Sequence, residues 1–194
     1  MKLLALLGIA LGLVSARPVP VPRDEGPISY NAIALITCGE YMGTAFWISP
    51  HRIITANHVS GDRSCSIGGI PLIRVRNDYM QDVAEFSGLP SRAYIRVRCY
   101  APRRAAVVHA SGYAYGAFRH TSRLIVTDRR DDGRDEPIAR GMVEMNGRSF
   151  PGMSGGPMMN RDGEVVALLS RGRPGPNPAT WGRLLRESFI CQRR

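Results

Sequence analysis

Lysine is almost absent from this sequence. Of 26 lysines and arginines only Lys2 is a lysine, so the formal charge of +10 rests on arginine. Such an excess favours acidic partners: polyanions, anionic surfaces or acidic peptides. The arginines are spread from Arg17 to Arg194, however, and the aromatic residues, 7 % of the chain, do not interleave with them. That pattern argues against a specific nucleic-acid module and reads first as a basic, soluble surface. No Cys or His pair has zinc-site spacing and no H-E-x-x-H occurs, so metal catalysis has no support and no cofactor is called for. Internal repeats and long low-complexity tracts are missing as well. Histidine is scarce, and none follows His120.

What is present begins with an export pattern. Lys2 precedes an apolar run over residues 3–14, and Ser15 and Ala16 close it. A run too short to span a bilayer, ending in small residues, reads as a signal peptide over 1–16 cleaved after Ala16. The expected mature chain is secreted, begins near Arg17 and carries no membrane span. Residues 17–27 form a Pro-rich segment, in which Pro18, Pro20 and Pro22 favour extended polyproline II. Cys38, Cys65, Cys99 and Cys191 in an exported chain read as two disulfides, with three pairings open.

The stretch Phe150-Pro151-Gly152-Met153-Ser154-Gly155-Gly156-Pro157 carries the chemistry. A nucleophilic serine needs a sharp turn and close approach of a substrate carbonyl, and flanking glycines permit both. The backbone N–H groups of Gly152 and Ser154 are the candidate oxyanion donors. The same letters fit G-x-S-x-G, the nucleophile elbow of α/β-hydrolases, in which the acid and then the histidine follow the serine. His51, His58, His109 and His120 all precede Ser154, which excludes the elbow. The order His…Asp…Ser remains. His58 follows the short apolar run Ile53-Ile54 within Thr55-Ala56-Asn57-His58, and Asp82 opens Asp82-Val83-Ala84. Asp78 is the runner-up acid, and His51 reads as a turn residue.

Together with Gly43-Thr44-Ala45-Phe46-Trp47-Ile48, these blocks resemble the four signatures of chymotrypsin-like serine peptidases, and Ser170-Arg171-Gly172 resembles that family's substrate-binding strand. The likeness covers roughly residues 30–181. It implies a His58–Asp82–Ser154 triad cleaving polypeptides through an acyl-enzyme, with Ser170, Arg171 and Gly172 pairing with substrate backbone. It implies a primary pocket lined by Asn146, Arg148 and Ser149, where Arg148 favours an acidic residue before the scissile bond. It implies the pairing Cys38–Cys65, leaving Cys99–Cys191. Met153 stands where the digestive relatives have an Asp that pairs with a newly released amino terminus, so activation without such an ion pair is expected. In this the chain looks closer to glutamyl-endopeptidase-like, HtrA-like or viral members. Two other readings share these motifs: a catalytically silent relative binding polyanions or surfaces through arginine, and a viral processing peptidase.

Short apolar runs cut by turn residues predict an all-β fold. Strands are expected over 32–37, 44–48, 53–56, 72–75, 83–86 and 94–100 in a first lobe spanning 28–104. A second lobe over 105–179 takes strands at 105–109, 124–127, 138–145 and 164–170, with a solvated loop at 128–136. Trp181, Leu184, Leu185 and Phe189 at helical spacing predict a C-terminal helix within 180–194. The resemblance implies two six-stranded-type β-barrels with the active site between them.

Overall fold

The computed structural model describes residues 30–128 and 141–192. The expected signal peptide, the Pro-rich segment and nearly all of the 128–136 loop lie outside the described residues.

The first lobe is built from β1 (Ile33–Cys38), β2 (Tyr41–Ser49), β3 (Arg52–Ala56), β4 (Cys65–Ile67), β5 (Ile70–Pro71), β6 (Ile73–Asp78) and β7 (Val83–Ser87). They form one antiparallel sheet in the order β5-β4-β1-β2-β3-β7-β6. β3 and β7 lie in its interior, and their side chains are buried almost throughout. Glu85 is buried there because Arg52 grips it from β3, with Nε and Nη2 at 2.6 and 3.2 Å from its two carboxylate oxygens. A buried charge persists only with such a partner. This lobe is a half-barrel. One edge is the two-residue β5, which ends at Pro71, and the other is β6, interrupted by an irregularity between Arg74 and Arg76. Proline and irregular pairing at an edge are what keep edges from joining.

The second lobe is a closed six-stranded barrel in the order β10-β13-β12-β11-β8-β9. Its strands are β8 (Val107–Ala114), β9 (Phe118–Asp128), β10 (Met142–Asn146), β11 (Pro157–Met159), β12 (Val165–Arg173) and β13 (Ala179–Leu184). Met145, Met153, Met158, Val166 and Leu124 fill its interior. Met159, Val165, Leu168 and Leu185 instead join the core of the first lobe, so the two lobes share a packed seam.

Two local expectations are corrected. Residues 94–100 form no regular strand; a single bridge joins Val97 to Val165, where the chain crosses between lobes. Residues 180–184 are strand, not helix. The helical spacing of Trp181, Leu184 and Leu185 is coincidental, because β13 lies between β10 and β12 and is buried on both faces. A short helix α2 (Phe189–Gln192) does end the described chain. Phe189 enters the first lobe's core, with the Arg76 guanidinium 4.4 Å from its ring centre. Disulfides join Cys38 to Cys65 and Cys99 to Cys191.

Candidate active site

The site is assembled where the end of β3 meets the loop between β10 and β11. After Ala56 the chain makes one helical turn, α1 (Asn57–Ser60), which carries His58. Asp82, in the turn just before β7, faces it. The His58 N–H donates to Asp82 Oδ1 at 2.9 Å, and Nδ1 lies 3.0 and 2.9 Å from Oδ1 and Oδ2. A carboxylate can only accept, so the ring proton sits on Nδ1 and Nε2 is left as an acceptor. Asp82 is held at φ 49°, a left-handed conformation that short polar side chains tolerate better than most.

Ser170 completes the carboxylate's shell, its hydroxyl donating to Asp82 Oδ2 at 2.6 Å across 88 residues. Burial pushes the Asp82 carboxyl up. The His58 hydrogen bond, the His58 charge and the Ser170 hydroxyl pull it down further, and the net position is below the ordinary carboxylate value. Asp82 is therefore an ionised, nearly inaccessible acceptor, while the His58 side chain keeps 46 % exposure and can meet a substrate.

Ser154 stands on a loop locked from both lobes. Its carbonyl accepts from Thr44 N–H at 2.8 Å, and Gly155 N–H donates to the Leu169 carbonyl at 2.8 Å. A methyl group on Gly155 (φ 85°) would lie 2.3 Å from both the Thr44 carbonyl oxygen and the Thr55 hydroxyl, so only glycine fits there. Thr44 acts as a buried rivet: its hydroxyl donates to the Gly152 carbonyl at 2.9 Å and accepts from Tyr113 N–H at 2.8 Å. Thr44→Val keeps the volume and strips both bonds, leaving buried partners unpaired at a cost of about 1–3 kcal/mol. Calorimetry should show melting lowered by about 2–4 °C per kcal/mol lost. An unchanged melting temperature would mean the rivet carries no load.

His58, Asp82, Ser154, Ser170, Arg171 and Gly172 line a single cleft of about 560 Å³. An adjoining cavity of about 400 Å³ takes Arg148, Ser149, Ser154 and Gly172, with Tyr115 and Phe150. Asn146 lines neither; it ends β10, exposed, opposite Ala179. Asp78 caps the Gln81 N–H at 3.0 Å, Asp62 accepts from the Tyr79 hydroxyl, and His51 lies in the turn between β2 and β3. The Ser154 hydroxyl donates to the Ser170 carbonyl at 3.3 Å, and among the described residues no hydrogen bond joins it to His58. Both residues line the same cleft, and catalytic hydrogen bonds often tighten only when substrate binds.

Sequence reasoning misses Thr44 as a rivet, the Ser170 hydroxyl on Asp82, and Tyr79, which also lines the cleft. The letters around Thr44 assign it no hydrogen-bonding role, and the Ser170 contact joins residues 88 apart.

A closed barrel joined to a half-barrel matches solved structures in shape. The Rv3671c protease, inactive form, superposes with a TM-score of 0.65 at 21 % identity, over 79 % of this chain and 83 % of that one. Rv3671c from M. tuberculosis H37Rv, as an inactive mutant, gives 0.70 at 21 % identity, over 84 % and 85 %. The fold is chymotrypsin-like. The serine endoprotease from Yersinia pestis gives 0.65 at 18 % identity over 79 % of this chain, which spans 58 % of that longer protein. No protein-family model matches the sequence, and no curated protein does.

Proposed function

We propose that this chain is a serine endopeptidase. The observation that carries the reading is the Asp82 carboxylate gripping His58 Nδ1 at 2.9 Å in the cleft that also holds Ser154. A serine hydroxyl is a weak nucleophile without a base. His58 Nε2 takes the Ser154 proton as Oγ bonds to the scissile carbonyl carbon. It then returns that proton to the amine as the C–N bond breaks. Water repeats the sequence to release the acid. Asp82 fixes the tautomer and stabilises the imidazolium. Among the described residues the N–H groups of Gly152 and Ser154 donate to no protein acceptor, which supports their role at the oxyanion. The backbone of Ser170–Gly172 takes the substrate as an added strand.

Arg148 and Ser149 line the cavity beside Ser154, which supports a primary pocket selecting an acidic residue. A peptide library should be cut after Glu or Asp, and Arg148→Ala should reduce that preference about tenfold. Clear cleavage after Arg or Lys would overturn it.

Met153, fully buried in the apolar core of the second barrel, supports activation without a buried amino terminus, since it offers no acid to receive one. Two disulfides fit an oxidising compartment and hence export through residues 1–16. Among the described residues no helix is long and apolar enough to cross a membrane. Several arginines are already engaged, Arg52 by Glu85, Arg98 by Glu164 and Arg63 over the Tyr41 ring, which gives a polyanion-binding role no support. A fluorophosphonate probe should label the protein, with labelling lost in Ser154→Ala and His58→Ala. Labelling that persists in both would defeat the reading.

A further inference from the structure

The segments that carry His58 and Asp82 also meet away from the imidazole. Four residues after His58, the Asp62 carboxylate accepts from the hydroxyl of Tyr79, which stands three residues before Asp82. Neither belongs to a core: Asp62 is exposed and Tyr79 keeps 54 % exposure. Changes at such surface positions usually have small effects. This bond differs because each of its ends is stiffly joined to the His–Asp pair.

On the His58 side, α1 and the residues after it form one compact turn. Gly61 N–H donates to the Asn57 carbonyl at 2.6 Å, and Arg63 N–H to the Ser60 carbonyl at 3.0 Å. Arg74 holds this turn to β6, with Nη1 donating to the Ser60 hydroxyl at 3.3 Å and Nη2 to the Arg63 carbonyl at 2.8 Å. Asp62 thus stands on a fixed frame. On the other side, Asp82 N–H donates to the Tyr79 carbonyl at a long 3.4 Å, and Asp82 itself is held at φ 49°. A residue other than glycine keeps such a conformation only where its surroundings over-determine it. The backbone ties from Asn57 N–H to the Asp82 carbonyl at 3.1 Å and from His58 N–H to Asp82 Oδ1 at 2.9 Å all converge on Asp82. Alone they leave the β6–β7 turn free to tilt about that residue. The Tyr79–Asp62 bond is a second attachment, displaced along both segments, and two separated attachments fix an orientation where one does not. The hydrogen bond to Asp62 also pushes the Tyr79 phenol above its ordinary value, so the hydroxyl stays protonated and donating at neutral pH.

Resting on the peptidase reading above, we infer that Tyr79 and Asp62 are positioning residues, whose bond sets the angle at which the Asp82 carboxylate meets His58 and so aims the imidazole at Ser154. The Tyr79 ring lines the cleft as well, so the test must separate this role from contact with substrate.

Tyr79→Phe keeps the ring and deletes the hydroxyl, Asp62→Ala deletes the acceptor, and Asp62→Asn keeps an acceptor oxygen. On one peptide substrate, kcat should fall about tenfold in Tyr79→Phe and in Asp62→Ala while KM stays within about twofold, because misplaced groups slow the chemical step. The Tyr79→Phe/Asp62→Ala double variant should lose no more than either single variant, as expected of two residues sharing one bond. Asp62→Asn should keep most of the parent kcat. Labelling by a small dialkyl fluorophosphonate, which leaves the extended cleft empty, should slow by the same factor of about ten. Rates are taken per site labelled at the end point, so misfolded molecules drop out. Unchanged kcat in both single variants, losses that multiply in the double variant, or slow peptide cleavage with normal labelling would each overturn the inference and leave the peptidase intact. A parent protein that neither cleaves nor labels would sink the peptidase reading, and this one with it.

Discussion

Ser154→Ala should lower kcat/KM on any peptide substrate by about 10⁵–10⁶-fold, the scale seen when a triad nucleophile is removed. The size of the effect comes from losing covalent catalysis altogether: without the hydroxyl there is no acyl-enzyme, and the remaining donors can only polarise a carbonyl. The substitution also removes a hydrogen bond, that from Oγ to the Ser170 carbonyl at 3.3 Å. The bond is long, and the loop keeps its other ties, so folding should be nearly unaffected. Thermal melting of the variant within about 2 °C of the parent, together with the kinetic collapse, separates chemistry from stability. A loss of only about tenfold would mean that another group performs the attack.

Asp82→Asn should cost about 10⁴-fold in kcat/KM, because an amide can donate where the carboxylate can only accept, and the imidazole is no longer held with its proton on Nδ1. The same substitution carries a pH signature. The Asp82 carboxyl sits below its ordinary value in the fold, so the unfolded chain binds more protons at this position. Its contribution to stability is therefore complete above the unfolded value near about 3.9 and is lost as pH falls toward the lower folded value. An amide does not titrate. Acid-unfolding curves of the parent should steepen below about pH 4 relative to the variant, and parallel curves would show that Asp82 is not held by His58 and Ser170 as described.

The parts of this molecule that could be read from the chain are those encoded locally. His58 follows an apolar strand and Ser154 sits among glycines, and both contexts constrain the backbone within a few residues. Asp82 was legible only through its place between them, and what singles it out over Asp78 is a contact: Asp78 turns to cap Gln81, while Asp82 faces His58. The Ser170 hydroxyl on Asp82 depends on β12 meeting, across the seam, the turn that leads into β7, which no local pattern records. The C-terminal misreading has a related cause. Periodicity reports which face is buried, and β13, covered on both faces inside a closed barrel, has no exposed face to mark it as a strand. The closed second barrel and the half-open first lobe were likewise indistinguishable in sequence, because closure depends on which edges pair and not on the strands themselves.

The most direct measurement is active-site titration of the purified protein with a p-nitrophenyl ester, followed by mass mapping of the trapped acyl group. The account predicts a burst of nitrophenol equal to the protein concentration, with the acyl mass on the peptide containing Ser154. Turnover without a burst, or an acyl group mapped to any other residue, would contradict it.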